Sequence, residues 1–253
     1  MKFWELRASA NKPNADLLIY GEIVGGEKWD ETDVSIADFN AEISALSSSV
    51  KELNMRINSP GGSVFTTIAM MNSLKRLKSE KNVTINAYID GIGASSASML
   101  PMVADNIYMY SNAFLMIHKP MVVAQFANSV TLRESADWLD MTETNTFVPA
   151  YKSKGTQALT DERVNELLNG KDNWLSASEA SELFNITVVE EAINMAACAE
   201  FDANGIFKGA PEAIKQLFAS QKPQVNKLTD EERQNILADS KASLTYMKTL
   251  NLI

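Results

Sequence analysis

The segment Leu53-Asn54-Met55-Arg56-Ile57-Asn58-Ser59-Pro60-Gly61-Gly62 alternates apolar and polar side chains and then stops at a proline and two glycines. Alternation with period two places Leu53, Met55 and Ile57 on one face of a β-strand. Adjacent glycines reach backbone conformations closed to other residues and let amide N–H groups approach a ligand closely. Immediately afterwards Val64, Ile68, Met71, Leu74 and Leu77 recur at helical spacing, so the segment reads as strand, tight turn, helix.

The same unit recurs on both sides. Downstream, Val83, Ile85, Ala87 and Ile89 alternate as a second strand that ends at Asp90-Gly91. The small-residue run Gly93-Ala94-Ser95-Ser96-Ala97-Ser98 follows and is expected to open a helix. Residues 106–110 and 114–117 are further strand candidates, the second ending at His118. Upstream, residues 16–23 carry the apolar run Leu17-Leu18-Ile19-Tyr20. Ser35 then stands as the N-cap of a helix through Ile36, Phe39, Ile43 and Leu46, with Asp38 as a weak capping box.

Repeated strand–turn–helix order implies an α/β fold with right-handed crossovers. Residues 129–154 read as one long helix through Leu132, Ala136, Leu139 and Thr146, which Pro149 should kink or bring to its last turns. Ser176-Ala177-Ser178-Glu179 is a full capping box before a short helix to Leu183, and residues 186–189 resemble a last strand. Beyond Ala199 the periodicity fades around Gly205, Gly209, Pro211 and Pro223. The organisation expected is therefore a domain over residues 1–199 and an extension over residues 200–253. That extension reads as a tether with a short helix near residues 213–218. Thr229-Asp230-Glu231-Glu232 then caps a final helix carrying Ile236, Leu244, Met247 and Leu250, which docks on its own core or on a partner.

Composition narrows the function classes. The 253 residues are 45% hydrophobic and 22% charged, as in a globular protein that folds without staples. Lys and Arg number 23 against 32 Asp and Glu, a net charge of −9 with no basic cluster, so nucleic acid is not an expected partner. A single cysteine, Cys198, forms no intrachain disulfide and fits a reducing compartment. The single histidine, His118, cannot build a His-rich zinc site. No apolar run approaches the roughly 20 residues that span a bilayer, and the first 20 residues do not read as a signal peptide.

Three features are candidates for chemistry. His118 ends a strand, where open α/β folds place their ligands, although a lone strand histidine is as readily structural. Ser59-Pro60-Gly61-Gly62 is either a tight turn or an oxyanion site. It matches neither phosphate-loop glycine pattern. Ser95, Ser96 and Ser98 sit at a strand–helix turn, where one could act as a nucleophile or all could simply permit close packing. Together they make a triad with an oxyanion hole a reasonable reading.

The order Ile57-Asn58-Ser59-Pro60-Gly61-Gly62, then Asp90-Gly91-Ile92-Gly93-Ala94-Ser95-Ser96-Ala97-Ser98, then Met116-Ile117-His118-Lys119-Pro120, resembles the Clp protease proteolytic subunit family. Tyr20-Gly21-Glu22-Ile23 and Asp172-Asn173-Trp174-Leu175-Ser176-Ala177 are similar to its phage and prophage branch of head-maturation proteases. The resemblance spans residues 16–189. It implies the ClpP/crotonase-like fold of repeated ββα units with a long helix, here followed by the C-terminal extension.

By the same resemblance Ser95 is the nucleophile, His118 the general base and Asp172 the carboxylate that orients it. The amides of Gly62 and Ser96 correspond to the oxyanion hole, and Asp140 and Asp161 lack the Trp-Leu-Ser-Ala context of Asp172. No metal or organic cofactor is implied. The expected activity is serine endopeptidase cleavage of protein or peptide substrates, ATP-independent or assisted by an unfoldase ATPase. It would act in a homo-oligomeric ring in the bacterial cytoplasm, with phage capsid or scaffold protein as substrate and no membrane or nucleic acid. Two alternatives stand beside it: a crotonase-like acyl-CoA enzyme, and a catalytically silent prohead assembly component.

Overall fold

Strand β3 (Glu52–Ser59) lies where the alternation places it, with Leu53, Met55 and Ile57 fully buried. The computed structural model of the chain describes residues 2–8, 12–25, 35–124, 126–190 and 210–211. The other strands are β1 (Trp4–Ala8), β2 (Asn14–Tyr20), β4 (Thr84–Ala94), β5 (Asn106–Tyr110), β6 (Phe114–Ile117), β7 (Asn173–Ser176) and β8 (Thr187–Val189). The helices are α1 (Ile36–Ser44), α2 (Val64–Lys81), α3 (Ser129–Thr142), α4 (Val148–Lys152), α5 (Asp161–Leu167) and α6 (Ala177–Leu183).

The sheet runs β1-β2-β3-β4-β5-β8, with β6 added to β4 and β7 to β6. Pairings from β2 through β8 along that path are parallel, as the crossover pattern requires. β1 and β7 pair antiparallel and are additional to the strands expected from sequence. One face of the sheet packs Leu17, Ile19, Met55, Ile85 and Ile89 against Phe39 and Ile43 of α1 and Met70, Leu74 and Leu77 of α2. Capping agrees with the sequence. The Ser35 N–H donates to Asp38 Oδ2 at 2.7 Å, and Ser176 N–H donates to Glu179 Oε2 at 2.8 Å.

The other face is polar. Asp16, Asn54, Asn86 and Asn106 stand in register on four strands. Each asparagine amide donates to the neighbour before it, at 3.1, 3.3 and 2.8 Å. Farther along, buried Asp90 accepts two bonds from Arg56, at 2.8 and 2.7 Å, and one from the Tyr20 hydroxyl at 2.5 Å. Burial pushes the Asp90 carboxyl above its usual range against the pull of Tyr20 and Arg56. Burial and the bond to Asp90 push the Tyr20 phenol up to about 12.

Removing one partner of such a pair leaves an uncompensated buried charge. Arg56→Met should therefore cost about 3 kcal/mol at neutral pH in denaturant titration. A raised folded-state pKa means the protonated form is the one the fold tolerates. The deficit of the variant should shrink as pH falls through the Asp90 titration. A pH-independent deficit would assign the loss to packing of the arginine stem.

Several expectations are corrected in detail. β4 does not end at Asp90-Gly91. Its first half, Asn86–Ile89, pairs with β5, and its continuation, Ile92–Ala94, pairs with β6. The small-residue run then opens a 3-10 helix (Ser95–Val103) rather than an α-helix, with Pro101 inside it lacking the N–H an α-helical bond needs. The long helix is present but composite. Between α3 and α4 the segment Glu143–Phe147 is a π turn, closed by Val148 N–H donating to the Glu143 carbonyl five residues back. Pro149 follows directly, where its missing N–H would break an unmodified α-helix. The apolar residues of α3 are not a core face. Val130 and Leu132 are exposed, and Thr142 is the buried residue of that helix. The tail expectations at residues 200–209 and 212–253, including both helices, lie outside the described residues.

Candidate active site

Strand registers bring the three expected site residues together. Ala94 of β4 pairs with Met116 of β6, which sets Ser95 beside the end of β6. Ile117 pairs antiparallel with Asn173 of β7, which sets Asp172 opposite His118. The outcome is a linear hydrogen-bonded array. Ser95 Oγ lies 2.7 Å from His118 Nε2, and His118 Nδ1 lies 3.0 Å from Asp172 Oδ1. An ionised Asp172 can only accept, so the imidazole carries its proton on Nδ1 and leaves Nε2 to accept from the Ser95 hydroxyl.

Solvent exposure separates the histidine from the serine. His118 is 4% exposed, whereas Ser95 is only half-buried. Ser95 also has a φ of +54°, in the left-handed region that side chains disfavour. Strain of this kind costs about 1–3 kcal/mol and persists where surrounding structure enforces it.

The rival serines are committed elsewhere. The buried Ser96 hydroxyl donates to the Gly62 carbonyl at 3.3 Å and lies 3.0 Å from Thr67 Oγ1. The buried Ser98 hydroxyl donates to the Ser95 carbonyl at 2.5 Å. Asp140 lies 3.9 Å from Lys119 Nζ and Asp161 pairs with Lys152, so neither joins the array.

The glycine turn is built against the serine turn. Ser59 Oγ donates to the Gly21 carbonyl at 2.6 Å and accepts from the Gly61 N–H at 3.1 Å. Asn58 Oδ1 accepts from the Ile92 N–H at 3.1 Å across a register shift between β3 and β4. Gly61 has a φ of +90°, and a Cβ there would lie 2.5 Å from the Ala94 carbonyl oxygen and 2.9 Å from the Ser96 nitrogen. Gly62 pairs with Ile23, and a Cβ on it would meet the Ile23 carbonyl at 2.2 Å. In that parallel bridge Ile23 bonds Gly61 O and Ser63 N, leaving the Gly62 N–H on the opposite side. The Ser96 N–H is in the first turn of the 3-10 helix, where N–H groups have no intrahelical acceptor.

A cavity of about 160 Å³ adjoins the array, lined among others by Glu22, Gly62, Val64, Met121 and Phe147 with Ser95 and His118. Its walls come from five separate segments, and of its lining Val64, Met121 and Phe147 lie outside the motifs quoted from the sequence. Phe147, for instance, is aimed by the π turn. A larger cavity of about 780 Å³ lies between α2 and α4 and contains none of the expected site residues. No group of His, Cys, Asp and Glu suited to hold a metal ion occurs among the described residues. No described helix is long and apolar enough to cross a membrane.

A family model described as Clp protease matches residues 10–189, which contain the Ser95 turn, the histidine that follows β6 and the carboxylate that precedes β7. With that match over an α/β fold built around an eight-stranded mixed sheet, the chain belongs to the Clp protease family.

Proposed function

We propose that the chain is a serine endopeptidase whose catalytic residues are Ser95, His118 and Asp172. The observation that carries this reading is the array Ser95 Oγ–His118 Nε2 at 2.7 Å and His118 Nδ1–Asp172 Oδ1 at 3.0 Å. His118 takes the hydroxyl proton as Ser95 Oγ attacks a peptide carbonyl. Asp172 holds the productive tautomer and stabilises the imidazolium. The proton then passes to the leaving amine, and water hydrolyses the acyl-enzyme at Ser95 with His118 again acting as base. The Gly62 and Ser96 amides bind the oxyanion.

Loss of one such donor costs roughly 3–4 kcal/mol in other enzymes. Gly62→Ala should displace its own amide, because the Cβ collides with the Ile23 backbone. A fall in kcat of about 10²-fold with KM little changed is expected. An unchanged kcat would remove Gly62 from the oxyanion hole.

The direct test is intact mass after treatment with a fluorophosphonate, with peptide mapping. A single adduct on Ser95 that disappears in His118→Ala is expected. No adduct on folded wild-type protein overturns the reading and favours the silent assembly component. An acyl-CoA reaction on this fold has no use for the Ser95–His118 bond, so labelling also disfavours that alternative.

Members of this family generally act on protein substrates and form oligomeric rings. We extend both properties to this chain, with phage capsid or scaffold protein as the substrate class implied by the motifs around Tyr20 and Asp172. Self-association is supported by apolar side chains that α3 and the segment before it expose, namely Met121, Val123, Phe126, Val130 and Leu132. Apolar patches of this kind mark association surfaces. Val123→Glu combined with Phe126→Glu should shift mass photometry from a ring to smaller species. An unshifted distribution would place the interface elsewhere.

A further inference from the structure

The buried hydroxyl of Tyr151 has one hydrogen-bond partner described, Ser98 Oγ, at 2.7 Å. Ser98 spends its own proton on the Ser95 carbonyl at 2.5 Å, so the Tyr151 O–H is the donor of that pair. The result is a chain from α4 to the backbone of the residue held at a φ of +54°. A serine three residues into a helical turn can bond back to a carbonyl without help. The tyrosine adds a fixed rotamer, since a Ser98 hydroxyl that turned away would strand a buried phenol.

Packing alone does not require the oxygen. Tyr151 lies edge-on to Phe147 at 6.3 Å and tilted against Phe184 at 6.1 Å, contacts that a phenylalanine would reproduce. Burial pushes its phenol well above the usual range, so it remains a neutral donor. Phe147, one turn earlier and the last residue of the π turn, lines the cavity beside Ser95. The same face of one helix thus supplies a wall of that cavity and the anchor of the serine turn.

We propose that Tyr151, acting through Ser98, is a positioning residue that holds Ser95 in its strained attacking conformation and ties that conformation to the placement of α4. The proposal rests on Ser95 being the nucleophile. A misplacement of about 1 Å can cost 10²-fold in rate, so a loosened turn should be visible in the chemical step.

The test uses the full-length protein and three variants, Tyr151→Phe, Ser98→Ala and their combination. Each is assayed for the second-order rate of fluorophosphonate labelling at Ser95, for kcat and KM on a peptide substrate, and for Tm. Tyr151→Phe is expected to lower the labelling rate and kcat about tenfold, with KM unchanged and Tm nearly so. Ser98→Ala should lower the labelling rate and kcat as much, but with a lower Tm because it leaves the buried Tyr151 phenol unpaired. The double variant should be no slower than either single one, because both break one chain. Wild-type labelling and kcat in Tyr151→Phe overturn the proposal, as do additive losses in the double variant. So does a loss that follows Tm in both single variants, which is what a packing role predicts. Failure of the wild-type protein to label overturns instead the nucleophile assignment beneath it.

Discussion

Ser95→Ala is expected to abolish peptide cleavage and fluorophosphonate labelling while leaving the fold and the assembly state unchanged. In a triad that acts as a unit, removing the serine costs about 10⁶-fold in kcat, or about 8 kcal/mol of transition-state stabilisation. The stability side is as informative. Alanine inherits the +54° φ that Ser95 adopts, whereas glycine occupies that region at no steric cost. Ser95→Gly should therefore be equally inactive but more stable than Ser95→Ala by about 1 kcal/mol. Retained cleavage in Ser95→Ala would sink the serine mechanism. Equal stability of the two variants would show that the turn is not strained.

The second large effect is expected at Asp172. Asp172→Asn changes little in volume, but its amide can donate where the carboxylate only accepted. His118 would then carry its proton on Nε2, the nitrogen 2.7 Å from Ser95 Oγ, and could no longer accept the hydroxyl proton. Such a substitution has cost about 10⁴-fold in kcat in a comparable triad. KM should change little, since Asp172 is two bonds removed from the substrate. Full activity in Asp172→Asn would remove the carboxylate from the mechanism. Asp140 and Asp161 offer no substitute, because each is engaged with a lysine away from the array.

Local patterning carried much of the fold. β5 begins and ends where its alternation does, because a half-buried strand writes its period directly into the chain, and β6 coincides with a short continuous apolar run. The same holds for α2, whose start at Val64 follows from Ser63 as its N-cap. β1 also alternates, Trp4-Glu5-Leu6-Arg7, yet a five-residue edge strand carries a weak signal that pairing with β2 makes real. β7 carries no comparable signal. It is a strand because β6 presents an unpaired edge to it. Periodicity misleads at α3, where apolar spacing marks an exposed face and not a core-facing one, since period alone does not say what covers a face.

By itself the sequence determined β3, its glycine turn and the start of α2 beside the site and, through motif order, named the three residues that the structure brings together. A serine in a small-residue turn, a strand running into His118 and a carboxylate before a Trp-Leu-Ser-Ala stretch are local facts. Distance between them is not local. The 2.7 and 3.0 Å contacts follow from β4 changing partners from β5 to β6 partway along its length and from the antiparallel register of β7. Which serine is available was likewise settled only in three dimensions. Ser95, Ser96 and Ser98 are chemically alike in the chain, and hydrogen bonds to Gly62 and to the Ser95 carbonyl occupy the last two. Tertiary structure also decided the π turn that aims Phe147 at the cavity and Tyr151 at Ser98, because an extra residue in a helical turn has no periodic signature. Patterns encode each element's own geometry, whereas the site is made of the registers between elements.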